Sequence, residues 1–119
     1  MNLMMKKVIY FSLFFCFHIG VSQTDVDYES TMKTIISSYN ANDAQKIFDQ
    51  FSADLQTTFT LDKVKEFVAK NMDSQGKFSE FDLMDQDEGY RYLVQSDSDS
   101  VILVIALSPD LKLTKFLME

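Results

Sequence analysis

The chain contains an unbroken apolar run near its C-terminal end, Val101-Ile102-Leu103-Val104-Ile105-Ala106-Leu107, and this run decides the fold class. Continuous apolar runs of this kind are typical of strands that are covered on both faces of a sheet. We therefore expect a central strand here, buried on both faces or nearly so.

Shorter strands flank the run on both sides. Before it, Asp97-Ser98-Asp99-Ser100 forms a polar turn after Tyr90-Arg91-Tyr92-Leu93-Val94, and further back Phe81 and Leu83 alternate with polar residues. After it, Ser108-Pro109-Asp110 predicts a tight turn with Pro109 at the first central position, leading into a strand from Leu111 to Leu117. These connections are too short for crossover helices, so about four strands form an antiparallel meander.

The residues before Gly76 have helical periodicity instead. One apolar stripe predicts a helix from about Asp25 to Tyr39, ended by Asn40 in the left-handed conformation. Asn42 and Gln45 resemble the capping box of a second, short helix, whose buried side is Ile47, Phe48 and Phe51. Ser52-Ala53-Asp54 is interpreted as a polar break, and Thr60 as the N-cap of a third helix that Gly76 closes. The fold class is therefore α+β, with three N-terminal helices packed on a curved antiparallel sheet.

The first 22 residues have the pattern of a secretory signal peptide. Lys6 and Lys7 precede an apolar run of 12 residues, and the small residues Gly20 and Ser22 stand before Gln23. Cleavage between Ser22 and Gln23 predicts an exported protein with a single domain over residues 23–119. The apolar run is shorter than the ~20 residues that span a bilayer, so no stable membrane anchor is expected after cleavage.

Composition excludes several classes of function for the mature chain. All 18 acidic residues follow Ser22, and 2 of the 11 basic residues precede it, so residues 23–119 carry 18 acidic and 9 basic side chains, about −9 in net charge. This balance argues against binding to nucleic acid or to an anionic membrane. Cleavage also removes Cys16 and His18, the only cysteine and histidine. We therefore expect no catalytic residues, no metal and no cofactor, and a protein that is not an enzyme.

The candidate ligand pocket is built from aromatic residues of four separate segments, Tyr39, Phe51, Phe67 and Tyr92. These side chains either line an apolar pocket between helices and sheet or fill the core. Arg91, the only arginine, either clamps a carboxylate beside this pocket or lies on the exposed face of its strand. Two groups of acidic residues fail to match a calcium loop and are interpreted as solvated turn residues: Asp82, Asp85, Asp87 and Glu88, and then Asp97 and Asp99.

Three segments resemble a bacterial domain of unknown function, DUF3887, which is similar to the NTF2-like group of cone-shaped folds. They are Tyr39-Asn-Ala-Asn-Asp-Ala-Gln-Lys-Ile-Phe-Asp-Gln-Phe-Ser52, Leu61-Asp-Lys-Val-Lys-Glu-Phe67 and Gly76-Lys-Phe78. The resemblance implies three helices inside a curved sheet and an exported bacterial protein without transferable catalytic residues. It favours a domain that binds a small ligand or a protein partner. The alternative is an accessory N-terminal domain of a secreted serine hydrolase or β-lactamase-like protein, separated from its catalytic domain.

Overall fold

The computed structural model describes residues 24–87 and 89–119, so the predicted signal peptide and its cleavage site lie outside the described residues. Helices come first along the chain and strands follow, which confirms the α+β class. The helices are α1 (Asp25–Asn40), α2 (Ala44–Phe48), α3 (Ala53–Thr58) and α4 (Leu61–Ser74). The strands are β1 (Phe78–Asp85), β2 (Tyr90–Ser96), β3 (Ser100–Leu107) and β4 (Leu113–Met118).

The four strands form one curved, open antiparallel sheet in the order β1-β2-β3-β4, as the meander predicts. β3 lies inside the sheet, where Leu103 is opposite Tyr92 of β2 and Ile105 is opposite Phe116 of β4. Both residues are fully buried, and Val104 on the opposite face is also only 3% exposed. The central position of the strand is confirmed, and its burial is complete on the inner face but partial on the outer face, where Ile102 and Ala106 are half-buried.

The structure has a fourth helix where the sequence predicts a polar break. Ser52 is the N-cap of α3, and its side chain accepts a hydrogen bond from the Leu55 backbone N–H. The predicted cap of the last helix is confirmed, because the Thr60 side chain accepts from the Lys63 N–H. The three predicted helices correspond to α1, α2 and α4, and α3 is a further short helix.

The junction between α1 and α2 also differs from the prediction. Asn40 stays within the helix, and its side-chain amide donates to Phe78 O at 2.8 Å and accepts from Phe78 N at 2.9 Å. Asn42 takes the left-handed conformation instead, with φ of 60°. Asp43, not Asn42, caps α2 by accepting from the Lys46 N–H.

The turn between β3 and β4 is as predicted, but β4 begins two residues late. The Leu111 N–H donates to Ser108 O, which places Pro109 at the first central position of the turn. Leu111 has φ of 63° and belongs to the turn, so the strand starts at Leu113.

The helices pack into the hollow of the sheet and fill it. Residues less than 2% exposed come from three helices and three strands: Met32, Ile35, Tyr39, Ile47, Val64, Val68, Val94, Leu103, Ile105 and Leu113. Among the described residues, no helix has the length and apolar character needed to cross a membrane.

Candidate functional site

The predicted pocket residues lie where an internal pocket would be, but three of the four are buried in the core. Tyr39, Phe51 and Tyr92 are 0%, 2% and 3% exposed, and Phe67 is half-buried. Side chains this closed to solvent have no free face for a ligand to contact. The aromatic residues therefore fill the hollow of the sheet instead of lining it.

The structure brings three of these residues together and separates the fourth. Phe51 and Phe67 both pack against Phe116, with ring centroids 5.4 and 5.2 Å apart, and Tyr39 meets Phe67 edge-on at 6.5 Å. Tyr92 instead contacts Phe81 and Tyr90, at 5.5 and 6.3 Å. The core thus has two aromatic clusters, one under α4 and one beside the start of α1.

Arg91 lies on the opposite face of the sheet from Tyr90 and Tyr92, because neighbouring side chains of a strand alternate. Its guanidinium forms ion pairs with Glu119 at 2.6 Å and Asp85 at 2.8 Å. The hydrogen bonds that the guanidinium donates to Glu119, and then to Asp85, raise the pKa of Arg91. Arg91 therefore forms ion pairs with carboxylates of its own chain, and it does not share a pocket with the four aromatic residues.

The phenols of Tyr39, which is buried, and Tyr90, which is half-buried, are held in the protonated form. Burial, and then the charge of Asp97, raises the pKa of Tyr39 to about 12. The hydrogen bond from Tyr90 to Asp25 raises the pKa of Tyr90 to about 12 as well. Neither phenol is a phenolate at neutral pH, so neither supplies a nucleophile or a general base.

The acidic residues of the strand connections make local contacts. Asp85 pairs with Arg91, and the Asp97 carboxylate accepts from the Lys77 backbone N–H at 2.9 Å. Within residues 24–87 and 89–119, no three or more acidic, histidine or cysteine side chains are grouped so that they could hold a metal ion.

Two grooves open at opposite edges of the sheet. The α1–β1 groove has a volume of about 520 Å³, and the α4–β4 groove about 580 Å³. The first is lined by Glu29, Lys33, Ile36, Ser37, Asn40, Phe78, Ser79, Glu80, Phe81 and Asp82. The second is lined by Thr58, Phe59, Lys63, Glu66, Phe67, Lys70, Asn71, Leu117 and Met118. Of the predicted pocket residues, Phe67 lines the second groove, Tyr92 lines a smaller depression beside the first, and Arg91 lines a separate depression with Asp85 and Glu119.

The two grooves differ in charge. The α1–β1 groove has three carboxylates and one ammonium group, and a smaller depression that continues it adds the carboxylate of Asp25. The α4–β4 groove has two ammonium groups and the single carboxylate of Glu66. One edge of the sheet is therefore acidic, and the other has a positive groove in an acidic chain.

In each edge strand, the outward-facing backbone groups of the first residue are paired. At β4, Leu113 N donates to Gln50 O and Ser52 N donates to Leu113 O, which covers the start of the strand. At β1, the Asn40 side-chain amide donates to Phe78 O and accepts from Phe78 N, which covers the start of that strand. Among the described residues, no other group pairs with the outward-facing backbone of residues 79–85.

In comparisons with known proteins, no family model, curated protein or solved structure matches this chain. The resemblance to DUF3887 therefore stays a prediction. The α+β architecture with its curved, open sheet is compatible with an NTF2-like cone.

Proposed function

We propose that the protein is an exported, non-catalytic binding domain that captures an extended segment of a partner protein along the edge of β1. The observation that carries this proposal is the unpaired edge of β1 beside the acidic α1–β1 groove. An exposed strand edge is a template for pairing with another chain, and recognition domains use it by accepting a peptide as an added strand.

The filled interior favours a function at the surface. An internal ligand site needs a concave space, and the hollow of the sheet is occupied by core side chains such as Tyr39 and Phe51. The α1–β1 groove has instead an open mouth, and its partly apolar floor is formed by half-buried Phe81 above the buried side chains of Ile36 and Phe78. A partner's apolar side chains contact this floor while its backbone pairs with β1.

The free edge is long enough for a short added strand. Asn40 ends the groove at one side, because its amide already pairs with both backbone groups of Phe78. Residues 79–85 extend from there for about 20 Å, at about 3.3 Å per residue. The register against β2 shifts between Phe78 and Phe81 and again between Leu83 and Asp85, so the regular part of this edge is around residues 81–83, and an added segment pairs there.

The charge of the groove selects a basic partner. Glu29, Glu80 and Asp82 outnumber Lys33, and all four residues line the groove. A segment that alternates lysine or arginine with apolar residues complements both the floor and the rim. A second copy of this chain is a poor occupant, since two β1 edges would bring Glu80 and Asp82 against the same acidic residues.

The test uses a labelled, end-blocked peptide of seven alternating lysine and valine residues, with binding measured by fluorescence anisotropy. We expect the peptide to bind, and a peptide that alternates glutamate and valine to fail. Asp82→Lys should weaken binding about two- to ten-fold, because one exposed ion pair is lost and a repulsion is added. Asp62→Lys on α4 is the matched control, with the same charge change on an exposed residue outside the groove.

Methylation of the peptide's backbone nitrogens separates strand addition from simple charge attraction. The N–H groups of an added strand point alternately towards and away from β1. We expect methylation of the N–H groups that point towards β1 to abolish binding, and methylation of those that point away to leave the affinity unchanged. The proposal would be contradicted if both methylation patterns had the same effect on binding, or if Asp82→Lys and Asp62→Lys weakened binding equally. A dimer of the free protein in sedimentation would also contradict it.

A further inference from the structure

We infer that the α4–β4 groove is a second binding site, which takes an amphipathic anion with a single acyl chain and a carboxylate head. This site lies at the opposite edge of the sheet from the proposed peptide site. The two sites share no lining residue. The inference is therefore independent of the partner proposed for β1.

The floor of the groove is apolar and comes from three elements. Phe59 follows α3, Phe67 lies on α4, and Leu117 and Met118 end β4. Phe59 and Phe67 meet edge-on at 6.4 Å, and Leu117 is 37% exposed. Phe59 and Phe67 pack on Phe116 on the inner face of the sheet, while Leu117, opposite Val104 on the other face, lines the groove at the edge of β4. Together they border a groove of about 580 Å³ that an alkyl chain can cover.

The rim of the groove places two lysines on either side of this floor. Lys63 and Lys70 are seven residues apart on α4, a separation of two turns or roughly 10 Å along the helix, with Phe67 between them. This arrangement sets a positive charge at each end of an apolar strip. A ligand with one anionic head and one apolar tail matches it when the head lies at one lysine and the tail covers Phe67.

Lys70 is the better partner for the head. Lys63 already donates from Nζ to the Thr58 carbonyl oxygen at 3.2 Å. The ammonium group of Lys70 has no hydrogen-bond or ion-pair partner among the described residues, and the hydrogen bond that the residue forms with the Ser74 hydroxyl is accepted by its backbone carbonyl oxygen. The carboxylate therefore pairs with Lys70, and the tail extends along α4 towards Phe59.

The charge of the rest of the chain makes this groove selective. Residues 23–119 have twice as many acidic as basic side chains, and the other large groove is acidic. An anion is repelled by most of the surface and attracted by the lysine rim. Glu66 also lines the groove and leaves it with one net positive charge, which favours a ligand with one negative charge over a multivalent anion.

The test is calorimetric titration of the full-length protein with decanoate below its micelle concentration. We expect decanoate to bind, and both the neutral decanamide and the cationic decylamine to bind more weakly. Lys70→Met should raise the dissociation constant of decanoate about two- to five-fold, as the loss of one exposed ion pair predicts. Lys65→Met is the matched control, because Lys65 is an exposed lysine of the same helix outside the groove.

A second pair of variants tests the apolar floor. Leu117→Ser should weaken decanoate binding, whereas Leu83→Ser at the β1 edge should not, although the two leucines are similarly exposed at 37% and 40%. The inference would be overturned if decanoate did not bind. It would also be overturned if Lys70→Met and Lys65→Met had equal effects on the dissociation constant, or if Leu117→Ser and Leu83→Ser did. Asp82→Lys should leave decanoate binding unchanged and Lys70→Met should leave the lysine–valine peptide unchanged, so failure at one site is distinguishable from failure at the other.

Discussion

Removing one hydroxyl group tests how the start of α1 is fastened to the sheet. The Tyr28 hydroxyl accepts a hydrogen bond from the Leu107 backbone N–H at 3.0 Å, in a buried position. Strand pairing between β3 and β4 is irregular between Ala106 and Leu107, which leaves this N–H to be satisfied by a side chain. Tyr28→Phe removes the acceptor and keeps the ring, which stacks on Tyr90 with centroids 3.5 Å apart.

The expected cost is that of leaving one buried backbone donor without a partner. This cost is about 1–3 kcal/mol in free energy of unfolding, since water cannot reach the N–H to replace the lost bond. For a domain of this size, each kcal/mol lowers Tm by roughly 4–8 °C. We therefore expect Tm to fall by at least about 4 °C.

Thermal and urea unfolding followed by circular dichroism measure this loss, and amide hydrogen exchange locates it. Tyr90→Phe is the matched control, because the Tyr90 hydroxyl donates to Asp25 at an exposed position and its loss should cost at most about 1 kcal/mol. Faster exchange of the Leu107 amide should accompany Tyr28→Phe alone. If the two variants are equally stable, or if Leu107 exchange is unchanged, the buried bond does not fasten α1 to β3.

Three other perturbations have defined outcomes. Phe51→Ala should cost about 3–5 kcal/mol in urea unfolding because it opens a cavity in the filled core; a loss below about 1 kcal/mol would indicate an open pocket. Tyr39 and Tyr90 have pKa values raised to about 12 from 10.0, so unfolding releases protons between these values. Stability should be complete below pH 10 and fall as pH rises through 12, and a Tm that stays level between pH 10 and pH 12 would contradict this. Leu111→Gly should raise the unfolding free energy by about 0.5–1 kcal/mol by relieving the left-handed φ of 63°, and a decrease would show that the leucine side chain contributes more than the strain costs.

Sequence periodicity located the elements that bury a stripe of apolar residues. Residues 101–107 and α4 have such patterns, and the structure has a central strand and an amphipathic helix there. α3 has no buried residue, so it has no stripe to detect. Its only signal is the N-cap Ser52 followed by Asp54 in the first turn, a pattern that also fits a turn.

The misassigned end of α1 has a non-local cause. Asparagine after an apolar stripe predicts a left-handed residue, and two asparagines, Asn40 and Asn42, are available. Asn40 remains helical because its amide pairs with Phe78, which lies 38 residues further along the chain. No local pattern contains that contact, whereas Thr60 was identified correctly because its capping bond closes within three residues.

The sequence leaves open whether these aromatic residues line a pocket or fill the core, and packing decides between the two. Tyr39, Phe51 and Tyr92 converge between helices and sheet as expected, but Met32, Ile35 and other side chains occupy the space that a ligand would need. Residue type and spacing fix which side chains point inward. They do not fix the volume left after packing, which depends on how closely the helices approach the sheet.

Phe67 lies at the boundary between the core and the α4–β4 groove, and this position decides how the groove can be tested. Its ring packs on Phe116 and also lines the groove, so its removal lowers stability and ligand contact together. Loss of decanoate binding by Phe67→Ala would follow equally from local unfolding and from a lost contact. Lys70 and Leu117 are exposed and outside the core, so their substitution changes the groove while the fold is retained. Substitutions of Lys70 and Leu117, not of Phe67, therefore test whether a ligand binds at this edge.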